Sequence, residues 1–157
     1  MKKKYLIIIA NYYEDIAKGL LDSALKLIPK SNFIKIIKVP GVFEIPVTIS
    51  KNIKKYDAFL ALGCVIKGET PHFDFISQAS TNAIMDLSIN NQKPIGNGII
   101  TCLNMRQAKA RKASYFFIFF EIVTGISKTP GTLMILIILD FGINFKALSR
   151  RPFAISS

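Results

Sequence analysis

Apolar residues along most of the chain follow patterns that predict strands and helices in alternation. Residues 5–10 are a continuous apolar run, which is typical of a strand buried on both faces of a sheet. Further strands are predicted over residues 33–39, 56–62 and 94–101. Between them, apolar residues recur at helical spacing. This spacing predicts helices over residues 16–28, 46–54, 71–87 and from residue 104 onward.

Residues that start or stop helices support these boundaries. Pro29 ends the first helix, and Pro46 suits the first turn of the second. Asn104 followed by Gln107 resembles a capping box, which would open the fourth helix.

This alternation predicts an α/β fold in which a parallel sheet carries helices on both faces. The connections between strands should be right-handed. Ligands bind such sheets at the carboxyl ends of the strands. We therefore expect one shared pocket where four loops meet, at residues 11–13, 41–44, 63–72 and the end of the fourth strand.

Size and charge limit the choice of partner. The chain has 157 residues, which suits one domain, and a formal net charge of +11. Lysine supplies 17 of the 21 basic residues, and the lysines are scattered. Neither a zinc-ligand set nor an aromatic RNA-binding signature accompanies them, so we expect no nucleic-acid partner. The positive potential would still attract anionic phosphate substrates.

Signals for membranes, export and metals are weak. The apolar stretch after the N-terminal lysines is too short for a signal sequence, and no apolar run reaches the length of a membrane span. We expect a cytoplasmic protein with no membrane partner. Cys64 and Cys102 are far apart in sequence and are expected to be reduced thiols. With only one histidine beside them, we expect no metal site.

The segment from Gly63 to His72 is the most informative candidate site. Gly63 and Gly68 have the spacing of a nucleotide-binding P-loop, but Glu69 and Thr70 stand where that loop needs Lys and Ser or Thr. Walker-type ATP binding is therefore excluded. A helix that starts here would still present free N–H groups and the positive end of its dipole to a phosphate. The alternative is that Glu69 or Thr70 is an ordinary helix cap.

His72 is the only histidine of the chain and lies beside this candidate anion site. Because its side chain titrates near neutral pH, it could transfer protons there. Asp74 could orient it. The alternatives are that His72 is simply an exposed polar residue and that Asp74 is a solvated acid in the first turn of the helix.

Other candidates lie at strand ends and on the fourth helix. Tyr12, Tyr13 and Phe43 could hold a flat heterocycle between them, or they could close the ends of the core. Glu44 could cap the second helix or bind a ligand. Arg111 could make a bidentate phosphate contact, with a surface charge as the alternative.

Longer motifs connect these candidates. Residues 39–46, 62–74, 97–101 and 107–111, together with the Tyr12–Tyr13 loop, resemble the 6,7-dimethyl-8-ribityllumazine synthase family. The longest motif reads Leu62-Gly63-Cys64-Val65-Ile66-Lys67-Gly68-Glu69-Thr70-Pro71-His72-Phe73-Asp74. The resemblance runs in register from about residue 5 to residue 111, and residues 1–113 are expected to form the domain. It implies a flavodoxin-like three-layer α/β/α sandwich with a four-stranded parallel sheet.

The resemblance implies a transferase of riboflavin biosynthesis that needs no cofactor. It would condense 5-amino-6-(D-ribitylamino)uracil with 3,4-dihydroxy-2-butanone 4-phosphate to 6,7-dimethyl-8-ribityllumazine, the penultimate step. The family forms homopentamers, some packed into icosahedral shells, with sites between adjacent subunits. The helix over residues 71–87 would face the pentamer axis. The alternatives are a catalytically impaired scaffold and a flavin- or pyrimidine-binding module on the same fold.

The same resemblance assigns residues to the two substrates. Glu69, Thr70 and Arg111 would bind the phosphate, His72 would transfer protons, and Asn97 would close the pocket from a neighbouring subunit. The pyrimidine would be held by side chains at strand ends and by backbone groups of the third strand: Tyr12, Val42, Phe43, Glu44, Cys64, Val65 and Ile66.

The resemblance stops after Arg111, and residues 114–157 are an anomalous hydrophobic tail. The family continues the fourth helix there, then has a Lys-Gly turn and an alanine-rich closing helix. This chain reads Ser114-Tyr115-Phe116-Phe117 instead, and seven of its twelve phenylalanines lie in the last 43 residues. We interpret the change as a shift of reading frame near Ser114, with a genuine divergent tail as the alternative. A genuine tail would lack the lysine that helps to bind phosphate.

Overall fold

The computed structural model of the chain describes residues 3–28 and 32–112, so the predicted tail lies outside the described residues. A short 3-10 turn, Val42–Glu44, directly precedes the second helix. None of the helices in the described part is long and apolar enough to cross a membrane. The elements alternate in the order β1 (Lys4–Ala10), α1 (Glu14–Leu27), β2 (Phe33–Val39), α2 (Ile45–Asn52), β3 (Ala58–Ile66), α3 (His72–Asn91), β4 (Ile95–Cys102) and α4 (Met105–Arg111).

The four strands form one parallel sheet in the order β2-β1-β3-β4. In the middle of the sheet, Ile7 of β1 pairs with Ile36 of β2 and with Leu60 of β3. Toward the other edge, Gly63 of β3 pairs with Ile99 of β4. The predicted four-stranded parallel sheet is confirmed, and the carboxyl ends of all four strands point the same way.

Helices cover both faces of the sheet. On one face, Leu6, Ile8 and Phe59 pack with α2 and α3. On the other, Ile7 and Leu60 pack with α1, and the last residues of β3 and β4 pack with α4. Alternate side chains of the central strands are therefore buried on opposite faces. The predicted three-layer α/β/α sandwich is confirmed.

Two elements, β3 and α3, each end four residues later than the sequence pattern predicts. β3 ends at Ile66 rather than at Leu62, because Gly63 continues the ladder with β4 instead of ending it. α3 continues to Asn91, past the predicted end at residue 87, and stops where Gln92 adopts a left-handed backbone conformation with φ 50°.

The capping box at the start of α4 forms as predicted, with one difference. The backbone N–H of Gln107 donates to Asn104 Oδ1 at 3.0 Å, which caps the helix. The return bond reaches one residue further back, since the backbone N–H of Leu103 donates to Gln107 Oε1 at 2.8 Å. These bonds turn the chain sharply out of β4.

Candidate functional site

A cavity of about 690 Å³ lies at the carboxyl edge of the sheet, a size that suits a small-molecule site. The loops after β1, β2 and β3 and the first turns of α3 meet there. The end of β4, which was expected to join them, contributes no lining residue within the described part of the chain. The lining consists of Tyr12, Tyr13, Gly41, Val42, Phe43, Glu44, Cys64, Val65, Ile66, Gly68, Thr70, His72, Phe73 and Ile76.

Most of the predicted site residues lie in this lining, and three do not. The ones that line the cavity are Tyr12, Val42, Phe43, Glu44, Cys64, Val65, Ile66, Thr70 and His72. Glu69 is exposed between two lining residues. Asn97 is half-buried in β4, where its Oδ1 accepts from the backbone N–H of Ile99 at 3.1 Å. Arg111 Nη1 donates to the carbonyl of Thr101 at 3.0 Å, near the end of β4.

The 3-10 turn holds an exposed aromatic ring over the cavity. Val42 is buried beneath the turn, whereas Phe43 is 59% exposed. Glu44 closes the turn, because its Oε2 accepts from the backbone N–H of Gly41 at 2.9 Å. Glu44 was expected either to cap the second helix or to bind a ligand, but its side chain makes no capping bond to α2 and instead closes the turn before that helix. Among the described residues, its other carboxylate oxygen makes no hydrogen bond.

Two tyrosines, Tyr12 and Tyr13, also line the cavity. Tyr12 is 76% exposed, and its ring meets the ring of Tyr13 edge to face with centroids 4.9 Å apart. Tyr13 is half-buried and packs with the α1 and α4 side of the core. Burial raises the pKa of Tyr13, and Tyr12 and Cys64 add to that shift. Tyr13 therefore anchors Tyr12, and its phenol stays protonated at neutral pH.

The start of α3 leaves its backbone N–H groups without a side-chain cap. The residue before the helix is Pro71, whose side chain has no group that could accept a hydrogen bond. In the described chain, neither Glu69 nor Thr70 makes a side-chain hydrogen bond. Neither residue therefore caps α3 in this structure, contrary to the alternative raised by the sequence. The loop itself is tied to β4, since the N–H of Lys67 donates to the carbonyl of Cys102 at 2.9 Å.

His72 is exposed at the mouth of the cavity, as the first residue of α3. Asp74 is also exposed, and no hydrogen bond joins the two side chains in the described structure. Asp74 thus has the geometry of a solvated acid rather than of a residue that orients His72. Phe73 and Ile76 line the cavity too, although they were not predicted as site residues.

Cys64 lies at the floor of the cavity and is buried. Burial raises the pKa of its thiol to about 12, and the neighbouring Cys102 adds to the shift. A thiol of this kind is neutral at physiological pH and a poor nucleophile. Within residues 3–28 and 32–112, no group of three or more His, Cys, Asp or Glu side chains is placed to hold a metal ion.

Comparison with known proteins identifies the family. The family model for 6,7-dimethyl-8-ribityllumazine synthase matches residues 2–115. The chain belongs to the 6,7-dimethyl-8-ribityllumazine synthase family. Among relatives of that name, the protein of Agrobacterium fabrum is 42% identical over 120 residues, which cover 71% of this chain and 81% of the relative.

Two further lumazine synthases are similar to the same part of the chain. The protein of Bartonella bacilliformis is 45% identical over 111 residues, which cover 68% of this chain and 73% of the relative. The protein of Renibacterium salmoninarum is 41% identical over 108 residues, or 68% of each chain. The proposed domain boundary near residue 113 and the proposed frame shift stay predictions, because they fall on residues outside the described structure.

The thiol of Cys64 should make stability depend on pH above about 9. An unfolded chain loses this proton near the ordinary pKa of 9.0, whereas the folded protein keeps it up to about 12. Between these values the unfolded state binds fewer protons, so the free energy of unfolding falls as pH rises. We expect the difference in unfolding free energy between wild type and Cys64→Ala to fall over that interval in denaturant titrations. A difference that stays constant would contradict the buried neutral thiol.

Proposed function

We propose that this protein makes 6,7-dimethyl-8-ribityllumazine from 5-amino-6-(D-ribitylamino)uracil and 3,4-dihydroxy-2-butanone 4-phosphate, the penultimate step of riboflavin biosynthesis. The reaction joins the amine to the ketone as an imine, expels phosphate and closes the ring, with loss of two waters. It is a transferase reaction without a cofactor. The observation that supports this function most directly is the family match over residues 2–115. The cavity supports it, because aromatic side chains and a histidine meet there.

The pyrimidine lies between two aromatic side chains in this proposal. Tyr12 and Phe43 are both largely exposed and both line the cavity, so their faces are available to a flat ring. A contact of this kind contributes about 0.5–1.5 kcal/mol beyond area burial. Backbone groups of Cys64, Val65 and Ile66 lie at the end of β3 and can pair with the polar edge of the ring. Glu44 retains one carboxylate oxygen for the same substrate.

The phosphate of the four-carbon substrate binds at the start of α3 in this proposal. The free N–H groups and the positive dipole end favour an anion there. Glu69 contributes through its backbone, because its carboxylate would repel a phosphate. Thr70 lines the cavity and can donate its hydroxyl. His72 lies between the two substrates, where it moves protons during imine formation and phosphate loss.

We also propose a cytoplasmic homopentamer with sites between subunits. α3 exposes large apolar side chains that a neighbouring chain would cover: Phe75 at 66%, Met85 at 57% and Ile89 at 65%. No lysine or arginine lines the cavity among the described residues. Asn97 and Arg111 lie off the cavity of their own chain and would reach that of the next subunit. Free cysteines at both Cys64 and Cys102 fit a reducing compartment.

The assay of the whole reaction tests the proposed function. Purified protein with both substrates should produce the lumazine, followed by its absorbance and fluorescence, with release of one equivalent of phosphate. Omitting either substrate is the control. A protein that binds the pyrimidine in titration calorimetry but forms no product would instead be an impaired scaffold or a pyrimidine-binding module, and the proposal would be wrong.

Replacing His72 should slow the chemistry without weakening pyrimidine binding. We expect His72→Ala to lower kcat by about ten- to a hundredfold, at or below the usual range for acid–base catalysis, because water can partly replace an exposed histidine. The Kd of the pyrimidine should change by less than about threefold. Asn90→Ala, an exposed position at the far end of the same helix, is the matched control. An unchanged kcat for His72→Ala would remove this residue from the mechanism.

Replacing Arg111 should weaken use of the phosphorylated substrate selectively. We expect Arg111→Ala to raise the KM of that substrate by about tenfold or more, since a charge-assisted bidentate contact is lost. The Kd of the pyrimidine should stay nearly constant. Arg106→Ala removes an exposed arginine from the same helix and serves as control. Equal effects on both substrates would refute the assignment.

Mixing the two variants tests whether Arg111 acts across subunits. Co-assembled His72→Ala and Arg111→Ala chains would build some sites with both residues intact, about a quarter in a random equal mixture. At a concentration of the four-carbon phosphate well below its wild-type KM, the activity of the mixture should then exceed that of either variant alone. Separately purified, unmixed variants are the control, and no recovery after verified co-assembly would place both residues in one chain's site.

A further inference from the structure

Gly63 lies where β3 passes closest to the 3-10 turn. A Cβ at this position would be 2.7 Å from Val42 Cγ2 and 3.1 Å from Ala10 Cβ. The first distance is about 1 Å shorter than ordinary carbon–carbon contact. Valine cannot swing aside easily, because its branched side chain has few allowed rotamers. Any side chain at position 63 would therefore displace the turn.

This close approach differs from what Gly68 and Gly19 show. A Cβ on Gly68 would meet nothing within 4 Å, and a Cβ on Gly19 would meet only the flexible side chain of Lys112. Gly63 is also inside a paired strand, where glycine costs stability relative to residues that fill the sheet. Its presence is explained by the packing of Val42 rather than by a turn in β3.

The displaced turn is the one that presents Phe43 to the cavity. Val42 fixes the turn from below, by its burial against Gly63. The bond between Glu44 and the N–H of Gly41 fixes it from the side. With both restraints in place, Phe43 can be largely exposed and still be held in one position. A shift of the turn by about 1 Å would misplace the ring, and displacements of this size can cost a large factor in binding or rate.

We infer that Gly63 is a positioning residue for the pyrimidine subsite: its missing side chain lets Val42 seat the 3-10 turn that holds Phe43 and Glu44 in place. The inference rests on the proposed function for the identity of the ligand. The seating of the turn itself can be measured without any ligand.

The test is a double-mutant cycle on Gly63 and Val42. Gly63→Ala should raise the Kd of 5-amino-6-(D-ribitylamino)uracil by about tenfold or more, because overpacking moves the turn. The KM of the four-carbon phosphate should change by less than about threefold. In Gly63→Ala/Val42→Ala, the new methyl fills the space of the lost γ-methyls, so the Kd should lie well below the product of the two single effects. Gly19→Ala is the matched control, with both constants close to wild type.

Amide hydrogen exchange of residues 41–45, monitored by mass spectrometry, tests without any ligand whether the 3-10 turn is held in place. Exchange should be faster in Gly63→Ala and should return toward the wild-type rate in the double variant. The inference would be overturned if the two single effects on Kd simply multiplied in the double variant, or if Gly63→Ala exchanged at the wild-type rate. If Gly63→Ala alone does not fold, a folded double variant supports steric coupling and an unfolded one contradicts it. If the wild type makes no lumazine, the proposed function fails, while the exchange cycle still decides the role of Gly63.

Discussion

Exclusion of water from the two central strands is the constraint on which the rest of the structure depends. Every residue of β1 from Tyr5 to Ala10 is buried, and β3 is buried from Ala58 to Cys64. A parallel pair of this kind needs helices on both faces and a crossover between strands. The crossovers return every strand in the same direction, so the loops that follow the strands collect at one edge. The cavity lies at that edge, where ligands bind such sheets.

The apolar pattern predicts this constraint but not all of its consequences. A continuous apolar run reveals β1, and helical spacing reveals the helices that cover it. The sequence pattern predicts that β3 ends before Gly63, because glycine weakens strands and marks turns. It lies inside the ladder instead, where a Cβ would come within 2.7 Å of Val42 Cγ2. No local pattern records that contact, since the two residues belong to segments that meet only after folding.

The site residues also divide into those that the sequence pattern predicts and those that it misses. Tyr12, Phe43 and Cys64 follow or end strands, so the sheet topology predicts that they lie together, and they do line one cavity. Phe73 and Ile76 line it as well, but in the sequence they continue the apolar pattern of α3 and look like core. Asn97 and Arg111 lie outside the cavity of their own chain, and they belong to the site only if the proposed assembly brings a neighbouring chain to it.

Charge explains why the two halves of the proposed site are built differently. The pyrimidine half depends mainly on packing between the aromatic side chains of Tyr12 and Phe43. A phosphate dianion needs positive charge, yet the lining of the described chain contains no lysine or arginine and includes Glu44. The N–H groups at the start of α3 offset only part of a dianion. A guanidinium from Arg111 of the next subunit would supply the rest. If the proposed assembly supplies Arg111 in this way, it is a condition for binding the second substrate, and a lone chain should hold the pyrimidine much better than the phosphate.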